Sequence, residues 1–222
     1  MFASATRKAL AEFLGSMLLA GVVIGSGILA VRLSDDNDAL ALLANTFATA
    51  AILYVLVSTL GPISGAHFNP AVTLVSVLQR ETPVAMALVY APLQIAGCVC
   101  GAVLAHAMFD LPLLQTATTV REGTSQMLSE GVATFTLLFA ILGGARFNPK
   151  AVPAIVALVI AAGYWWTAST SFANPAITTA RAMSDTFAGI RPADAPGFIA
   201  AQFFGALVAW AVAAFLFDRE KS

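Results

Sequence analysis

Six long apolar segments recur along this 222-residue chain, and they restrict its possible folds more than any other feature. A hydrocarbon core of about 30 Å needs about 20 apolar residues in one helix. The six segments cover residues 9–31, 40–60, 83–109, 127–145, 152–167 and 198–217. Lipid offers no hydrogen-bond partners, and each segment is long enough to satisfy its own backbone as a helix. The chain is therefore predicted to be an all-α membrane protein with six transmembrane helices.

Composition excludes most soluble functions. The chain is 59% hydrophobic and 10% charged, whereas soluble domains are about 45–50% apolar and about 25% charged. The net charge of −1 does not support nucleic-acid binding, so the expected partner is the lipid bilayer. Two histidines and two cysteines supply neither a metal cluster nor a nucleophile with its base, so neither an enzyme nor a metal site is predicted. Residues 1–222 are expected to form a single transmembrane channel domain.

Cationic residues predict the topology. With connections alternating between the two sides, seven cations share one side: Arg7, Lys8, Arg80, Arg146, Lys150, Arg219 and Lys221. Four lie on the other side: Arg32, Arg121, Arg181 and Arg191. Because cytoplasmic loops carry an excess of Lys and Arg, both termini are predicted to be cytoplasmic in a multi-pass protein of the inner (plasma) membrane. The first apolar segment is expected to be a retained helix and not a cleaved signal peptide.

The two halves of the chain, approximately residues 1–109 and 127–222, repeat one pattern. Matching positions are Glu12 and Glu130, Asn69 and Asn174, and Gln94 and Gln202. Three helices per half require the second half to insert upside down relative to the first, which is an inverted 3+3 repeat. Such repeats place their shared site near the membrane midplane, at the ends of discontinuous helices.

Each half carries an Asn-Pro-Ala motif in a segment too short to span the membrane and too apolar for an exposed loop. The motifs are Asn69-Pro70-Ala71, within HFNPAVT, and Asn174-Pro175-Ala176, within FANPAIT. Asparagine is a favoured N-cap and proline fits the first helical position, so each motif begins a helix. The sequence predicts two re-entrant half-helices, residues 69–78 and 174–186, whose tips meet from opposite faces.

The meeting tips predict a channel for small uncharged solutes. Each helix N-terminus carries about +0.5 charge, so the centre repels cations. The amides of Asn69 and Asn174 can donate hydrogen bonds to a solute oxygen, and the preceding backbone can accept them. The lining positions expected from these loops are Gly65, Ala66, His67, Phe68, Phe172 and Ala173.

Two carboxylates at membrane depth leave alternatives open. Glu12 and Glu130 are predicted to support the re-entrant loops by accepting backbone N–H bonds, with Gln94 and Gln202 as further structural support. A proton relay through the glutamates is the other interpretation. A coupled secondary transporter also uses inverted repeats and broken helices, and here only the two glutamates and His67 could titrate in its pathway.

The paired motifs and the duplicated Glu and Gln helices resemble the aquaporin or major intrinsic protein family over nearly the whole chain. The resemblance implies six tilted helices and two half-helices around one pore per subunit. It also implies a homotetramer and passive conduction without a cofactor.

The selectivity constriction departs from the usual pattern of that family. The family usually has Asn-Pro-Ala-Arg at the second motif, and here the arginine position is Ile177. By the family's spacing the constriction is Thr49, Ala162, Ser171 and Ile177, with room for a shift of one residue at Thr49 and of two at Ala162. These side chains imply a wide constriction without the aromatic, histidine and arginine of water-selective pores.

Arg181 complicates this interpretation because it lies one helical turn beyond Ile177. It either overhangs the vestibule and partly replaces the missing cation, or it reaches the membrane interface or pairs with Asp185.

The tail of the second motif, NPAITTARAMSDTFAGIRP, resembles aquaglyceroporin-like channels found with bacterial arsenic-resistance genes. That subgroup implies conduction of arsenous acid and methylated arsenicals. Arsenous acid at neutral pH is an uncharged triol, similar to glycerol in its hydrogen bonding. The alternative is a general glycerol, small-solute or water facilitator without an arsenic role.

Overall fold

The computed structural model describes residues 4–217, and this range contains helices and no strand. In chain order the helices are α1 (Ala5–Leu33), α2 (Asp38–Ser64), α3 (Pro70–Leu78), α4 (Val84–Met108), α5 (Thr124–Phe147), α6 (Val152–Trp166), α7 (Pro175–Arg181) and α8 (Ala195–Leu216). Six of these described helices are long and apolar enough to cross a membrane, if the 3-10 turn Pro149–Ala151 is counted with α6. The predicted fold of six spanning helices and two half-helices is confirmed.

The six crossings place the start of α1 and the end of α8 on one side, here named the terminal face. The opposite side, the far face, carries the connection between α4 and α5. Arg219 and Lys221, two of the seven cations predicted on the side of the termini, lie outside the described residues.

Close helix pairs explain why Gln94 and Gln202 are each followed three residues later by a glycine, Gly97 and Gly205. α1 packs against α4, and α5 packs against α8 in the same way. A Cβ on Gly97 would overlap the carbonyl of Phe13, and a Cβ on Gly205 would overlap the backbone of Gly131. The glycines therefore let the two backbones of each pair approach closely, which also brings the neighbouring glutamine to the glutamate of the partner helix.

The second half-helix is shorter than predicted. α7 ends at Arg181 and not near residue 186, so that boundary was wrong. Beyond it the chain folds back, and the Ile190 N–H donates to the Arg181 carbonyl at 3.3 Å. The cause is a set of distant partners on the far face: His106 Nε2 lies 2.9 Å from the Ser184 hydroxyl, and the Ala117 N–H donates to the Ala182 carbonyl.

The α4–α5 connection lies along this returning segment and covers the far face. The Arg191 N–H donates to the Thr119 carbonyl at 2.7 Å. Arg191 Nη2 also lies 2.8 Å from a carboxylate oxygen of Glu122 and of Asp194. The hydrogen bond from Arg191 holds the pKa of Asp194 below its usual value, which outweighs the opposing effect of burial.

Candidate functional site

A cavity of about 260 Å³ passes the tips of both half-helices. Gln79 and Glu81 line its terminal-face end, and Thr49 and Arg181 line its far-face end. Apolar side chains form much of the remaining wall: Leu53, Val57, Val72, Leu137, Leu138, Ile141 and Val156. One polar edge therefore faces an apolar wall along a single passage.

The two asparagines connect the half-helix tips to each other. Asn69 Nδ2 donates to the Ala173 carbonyl at 2.7 Å, and Asn174 Nδ2 donates to the Phe68 carbonyl at 2.8 Å. Each Oδ1 caps its own helix, accepting from the Ala71 N–H in α3 and from the Ala176 N–H in α7, both at 2.9 Å. Within the described protein only one of the two N–H groups of each amide is engaged, and both asparagines line the cavity. The second N–H group of each is available to a solute.

The loops before the asparagines hold matching left-handed backbone conformations. Ala66 and Phe68 have φ values of 52° and 49°, and Ser171 and Ala173 have 54° and 48°. Residues other than glycine adopt this region only when surrounding contacts enforce it, and such positions cluster at functional sites. The four residues also line the cavity together with Gly65, His67 and Phe172.

Glu12 binds the first of these loops. Its carboxylate accepts from the N–H groups of His67 at 3.0 Å and Phe68 at 2.7 Å. The Ser64 hydroxyl at 2.7 Å and Gln94 Nε2 at 2.8 Å complete the set. The side chain is fully buried, so four donors replace the water that the carboxylate loses.

Glu130 repeats this arrangement in the second half. It accepts from the N–H groups of Phe172 at 2.8 Å and Ala173 at 2.9 Å, and from Gln202 Nε2 at 2.6 Å. Gln202 Nε2 also donates to Thr178 at 2.8 Å, as Gln94 Nε2 donates to Thr73 at 2.9 Å.

His67 lines the cavity with a ring that can supply an acceptor nitrogen. Its Nδ1 lies 3.1 Å from the Thr73 hydroxyl, which accepts from Gln94 Nε2 and also lies 3.1 Å from the Asn69 carbonyl. In the tautomer in which Nδ1 carries the proton, the lone pair of the neutral ring is on Nε2, which can then accept a hydrogen bond near the donors of the asparagines.

At the far-face end of the cavity, one of the four residues predicted for the constriction is wrong. Thr49, Ser171 and Ile177 line it, but Ala162 is exposed on the outside of α6 and does not. Tyr164, two residues further along, takes this place, and its hydroxyl lies 3.2 Å from the Thr49 hydroxyl. The position taken from the family's spacing was therefore two residues too early, which is the shift allowed for it above. Two residues correspond to a rotation of about 200° around a helix, so Ala162 and Tyr164 lie on opposite sides of α6. An aromatic side chain is therefore present, contrary to the expectation.

Arg181 is buried in the site, with 4% of its surface exposed, and it lines the cavity. Its Cζ lies 3.3 Å from the centre of the Phe172 ring, and its Nε donates to the Ala188 carbonyl. Asp185 instead accepts from Thr118, whose N–H and hydroxyl both hold the pKa of this carboxyl below its usual value. The alternatives of an interfacial Arg181 or an Arg181–Asp185 pair were wrong.

Arg121, which lies beside the second loop, was not predicted from the sequence. Its Nε donates to the Gly189 carbonyl at 2.8 Å and its Nη1 to the Ser169 carbonyl at 3.3 Å. Its Cζ lies 5.0 Å from the centre of the Phe172 ring. These partners are 48 to 68 residues away along the chain, so no local pattern could reveal them.

Helices, half-helix tips and cavity together define a membrane channel, and comparison with known proteins identifies its class. The sequence profile named Major intrinsic protein matches residues 2–164, and the chain belongs to this family. It is a channel for small solutes and not an enzyme. The family resemblance inferred from the motifs is confirmed.

Two relatives and one solved structure are similar to this chain over most of its length. The chain is 54% identical over 216 residues to Aquaglyceroporin AqpS of Rhizobium meliloti (strain 1021), covering 97% of this chain and 92% of that protein. It is 30% identical over 193 residues to Aquaporin NIP2-2 of Zea mays, covering 83% and 64%. The X-ray structure of the aquaglyceroporin from Plasmodium falciparum superposes with a TM-score of 0.76 at 18% identity, covering 94% of this chain and 95% of that one. This last likeness concerns the fold alone.

Proposed function

We propose that this channel conducts small uncharged hydroxylated solutes passively, with arsenous acid and methylated arsenicals among them, together with glycerol-like solutes and water. The observation that carries the proposal is the passage beside Asn69 and Asn174, whose free N–H groups face it. A neutral triol finds donors on the asparagines and an acceptor on His67. An ion loses its hydration there without equivalent replacement.

The far-face end is proposed as the selectivity constriction. Thr49, Tyr164, Ser171 and Ile177 form its uncharged wall, and Arg181 supplies a cation in place of the usual family arginine. Two helix N-termini and this guanidinium together repel cations.

Glu12 and Glu130, with Gln94 and Gln202, are proposed to hold the loops in place and not to relay protons. The reason is that the carboxylate oxygens of both glutamates are occupied by N–H donors of the loops.

The arsenic assignment depends on the tail of the second motif, and the similarity to Aquaglyceroporin AqpS supports a pore for solutes larger than water. A second candidate is a water or glycerol facilitator without an arsenic role. The observation that favours it is the Tyr164 ring beside Arg181, since an aromatic and a guanidinium narrow a pore.

The assembly and topology are proposed with the function. Residues 1–222 form one channel domain with inverted repeats at approximately 1–109 and 127–222. Four copies form a homotetramer in the inner membrane with both termini in the cytoplasm. Arg181 lies in the cavity, so it no longer opposes this topology as a far-face loop cation.

Stopped-flow measurements on reconstituted vesicles test the proposal, with water, glycerol and arsenous acid in parallel and empty vesicles as the control. We expect flux of all three above the control without any ion gradient. Flux of water and glycerol without arsenous acid would favour the second candidate. Flux that requires a proton or sodium gradient would overturn the channel assignment.

A further inference from the structure

We propose that Arg121, in the α4–α5 connection, is a positioning residue that sets the solute selectivity of the far-face constriction by holding Phe172 and Arg181. The inference rests on the proposed function, since it assigns selectivity to this end of the cavity. Arg121 itself does not line the cavity and acts through the ring.

The Phe172 ring lies in contact with both guanidinium groups. The Cζ of Arg181 is 3.3 Å from the ring centre and that of Arg121 is 5.0 Å away. Phe172 is 4% exposed and also packs edge-on against Phe198 of α8, at 5.2 Å between ring centres. The ring is therefore confined, and a change on the Arg121 side is transmitted to the Arg181 side.

Arg121 also holds the backbone on both sides of α7. The Ser169 carbonyl, which accepts from its Nη1, lies two residues before Ser171 of the constriction. The Gly189 carbonyl, which accepts from its Nε, follows Ala188, whose carbonyl accepts from Arg181. The guanidinium of Arg121 thus connects the backbone at Ser169, before the second loop, to the backbone at Gly189, next to the carbonyl that binds Arg181.

The position of Arg121 is in turn set by the far-face connection. Its backbone N–H donates to Asp194 Oδ2 at 2.9 Å, and Asp194 is held by Arg191. Among the described residues the ion pairs of this face involve Arg191, and neither Arg121 nor Arg181 pairs with a carboxylate. Ring faces and carbonyls therefore hold the two cations. Arg121 reaches a ring and two carbonyls at once because its guanidinium is planar and forked, which a lysine ammonium is not.

Three single variants test the proposal in vesicles by the ratio of glycerol to water permeability. Arg121→Gln is expected to raise this ratio about two- to fivefold, the factor that one partly exposed cation–π contact represents, because Arg181 and Phe172 lose their support. Arg121→Lys keeps the charge but lacks the two-pronged donor group, so it should resemble Arg121→Gln. The matched control is Arg32→Gln, which removes an arginine–phenylalanine stack and a carbonyl bond on the same face away from the cavity.

A double variant separates positioning from a merely structural role. In an Arg181→Gln background, Arg121→Gln should change the permeability ratio less than it does in the unmodified protein, because the route through Arg181 is absent and only the contacts with Phe172 and Ser169 remain. If Arg121→Gln does not assemble, Arg121→Lys carries the test, since it keeps the positive charge and removes only the planar, two-pronged donor group; the same rise in ratio is expected.

Different outcomes would overturn the proposed function and the positioning role of Arg121. Absence of solute flux in the unmodified protein would overturn the proposed function. Normal flux with an Arg121→Gln ratio equal to that of the control, or an Arg121→Lys ratio equal to that of the unmodified protein, would overturn the positioning role alone. Equal effects of Arg121→Gln with and without Arg181 would do the same.

Discussion

At the scale of single residues, the two motif asparagines combine three contacts in one side chain. Asn174, for example, caps α7, joins the opposite loop through Phe68 and keeps one N–H group for the cavity. Only an amide supplies an acceptor and two donors in this geometry. The same side chain therefore stabilises the meeting of the half-helices and is proposed to donate a hydrogen bond to the solute.

Replacing Asn69 by Asp separates these roles. An aspartate still caps α3, but it cannot donate to the Ala173 carbonyl and places a negative charge at the passage. We expect a loss of about 1–3 kcal/mol in stability, because a buried carbonyl loses its donor. Cation conductance in vesicles should rise while glycerol flux falls. Unchanged cation conductance would contradict the electrostatic account of ion exclusion.

Replacing Ile177 by Arg adds a long cation to the proposed constriction. Ile177 lines the cavity one turn before Arg181, so the new side chain narrows the passage beside an existing guanidinium. Uptake of glycerol and arsenous acid should fall more than water flux in stopped-flow measurements. Ile177→Leu, which preserves volume and charge, is the control. Equal losses for water and the larger solutes would argue against Ile177 as a lining residue.

At the scale of helices, glycine sets how closely the paired backbones approach. Gly97 lets α4 lie against α1, and Gly205 lets α8 lie against α5. The same close approach brings Gln94 to Glu12 and Gln202 to Glu130. Helix packing in lipid depends on such contacts because there is no hydrophobic driving force between helices.

Alanine at Gly97 or Gly205 should therefore destabilise the protein. The added Cβ overlaps a backbone carbonyl that cannot move aside, and overpacking of this kind costs about 1–3 kcal/mol. Gly61→Ala is the matched control, since a Cβ at that helical position meets no atom within 4 Å. Thermal unfolding in detergent should show lower midpoints for the two paired glycines and not for Gly61. Equal midpoints for all three would refute the packing argument.

The contribution of the far-face connection to the stability of the protein should depend on pH through Asp194. Its pKa is lowered in the folded protein by Arg191, from an ordinary value of 3.8. A lowered pKa contributes stability above the ordinary value, and this contribution is lost as pH falls through the folded value. The thermal midpoint should therefore exceed that of Asp194→Asn at neutral pH, and the gap should close below about pH 4. A gap independent of pH would show that the charge of Asp194 is immaterial.

At the scale of the whole molecule, the inverted repeat gives each loop an equivalent buried carboxylate. Glu12 and Glu130 each accept two loop N–H groups and one glutamine amide. One difference between the halves is the pair of cations, Arg181 and Arg121, beside the second loop. The far-face end is consequently the more positive half of the passage.

Substituting Gln for Glu12 or Glu130 tests whether the carboxylates act as supports. Each change replaces an accepting oxygen by an amide that opposes a loop N–H group, at a cost of about 1–3 kcal/mol. We expect similar losses of stability for both variants and no change in the pH dependence of flux. A loss of proton-dependent flux at unchanged stability would instead support a proton relay.

Much of the architecture could be predicted because it is encoded locally or by repetition. Segment length and hydropathy defined the spanning helices, and Asn-Pro at two matching positions defined the starts of α3 and α7. The placement of Glu12 and Glu130 in apolar helices indicated that each carboxylate has partners inside the protein. Each of these signals depends on a few neighbouring residues or on a pattern present twice.

Local sequence patterns and their repetition were thus enough to predict the membrane fold, the inverted repeat and the two helix starts at the centre. The packed protein was needed to show that Tyr164 and not Ala162 lines the cavity, that α7 ends at Arg181, and that Arg121 contacts the Phe172 ring. The physical reason is that helix starts depend on local hydrogen bonds. The direction of a side chain and the end of a half-helix depend on partners that are distant in the chain and become neighbours only in the packed protein.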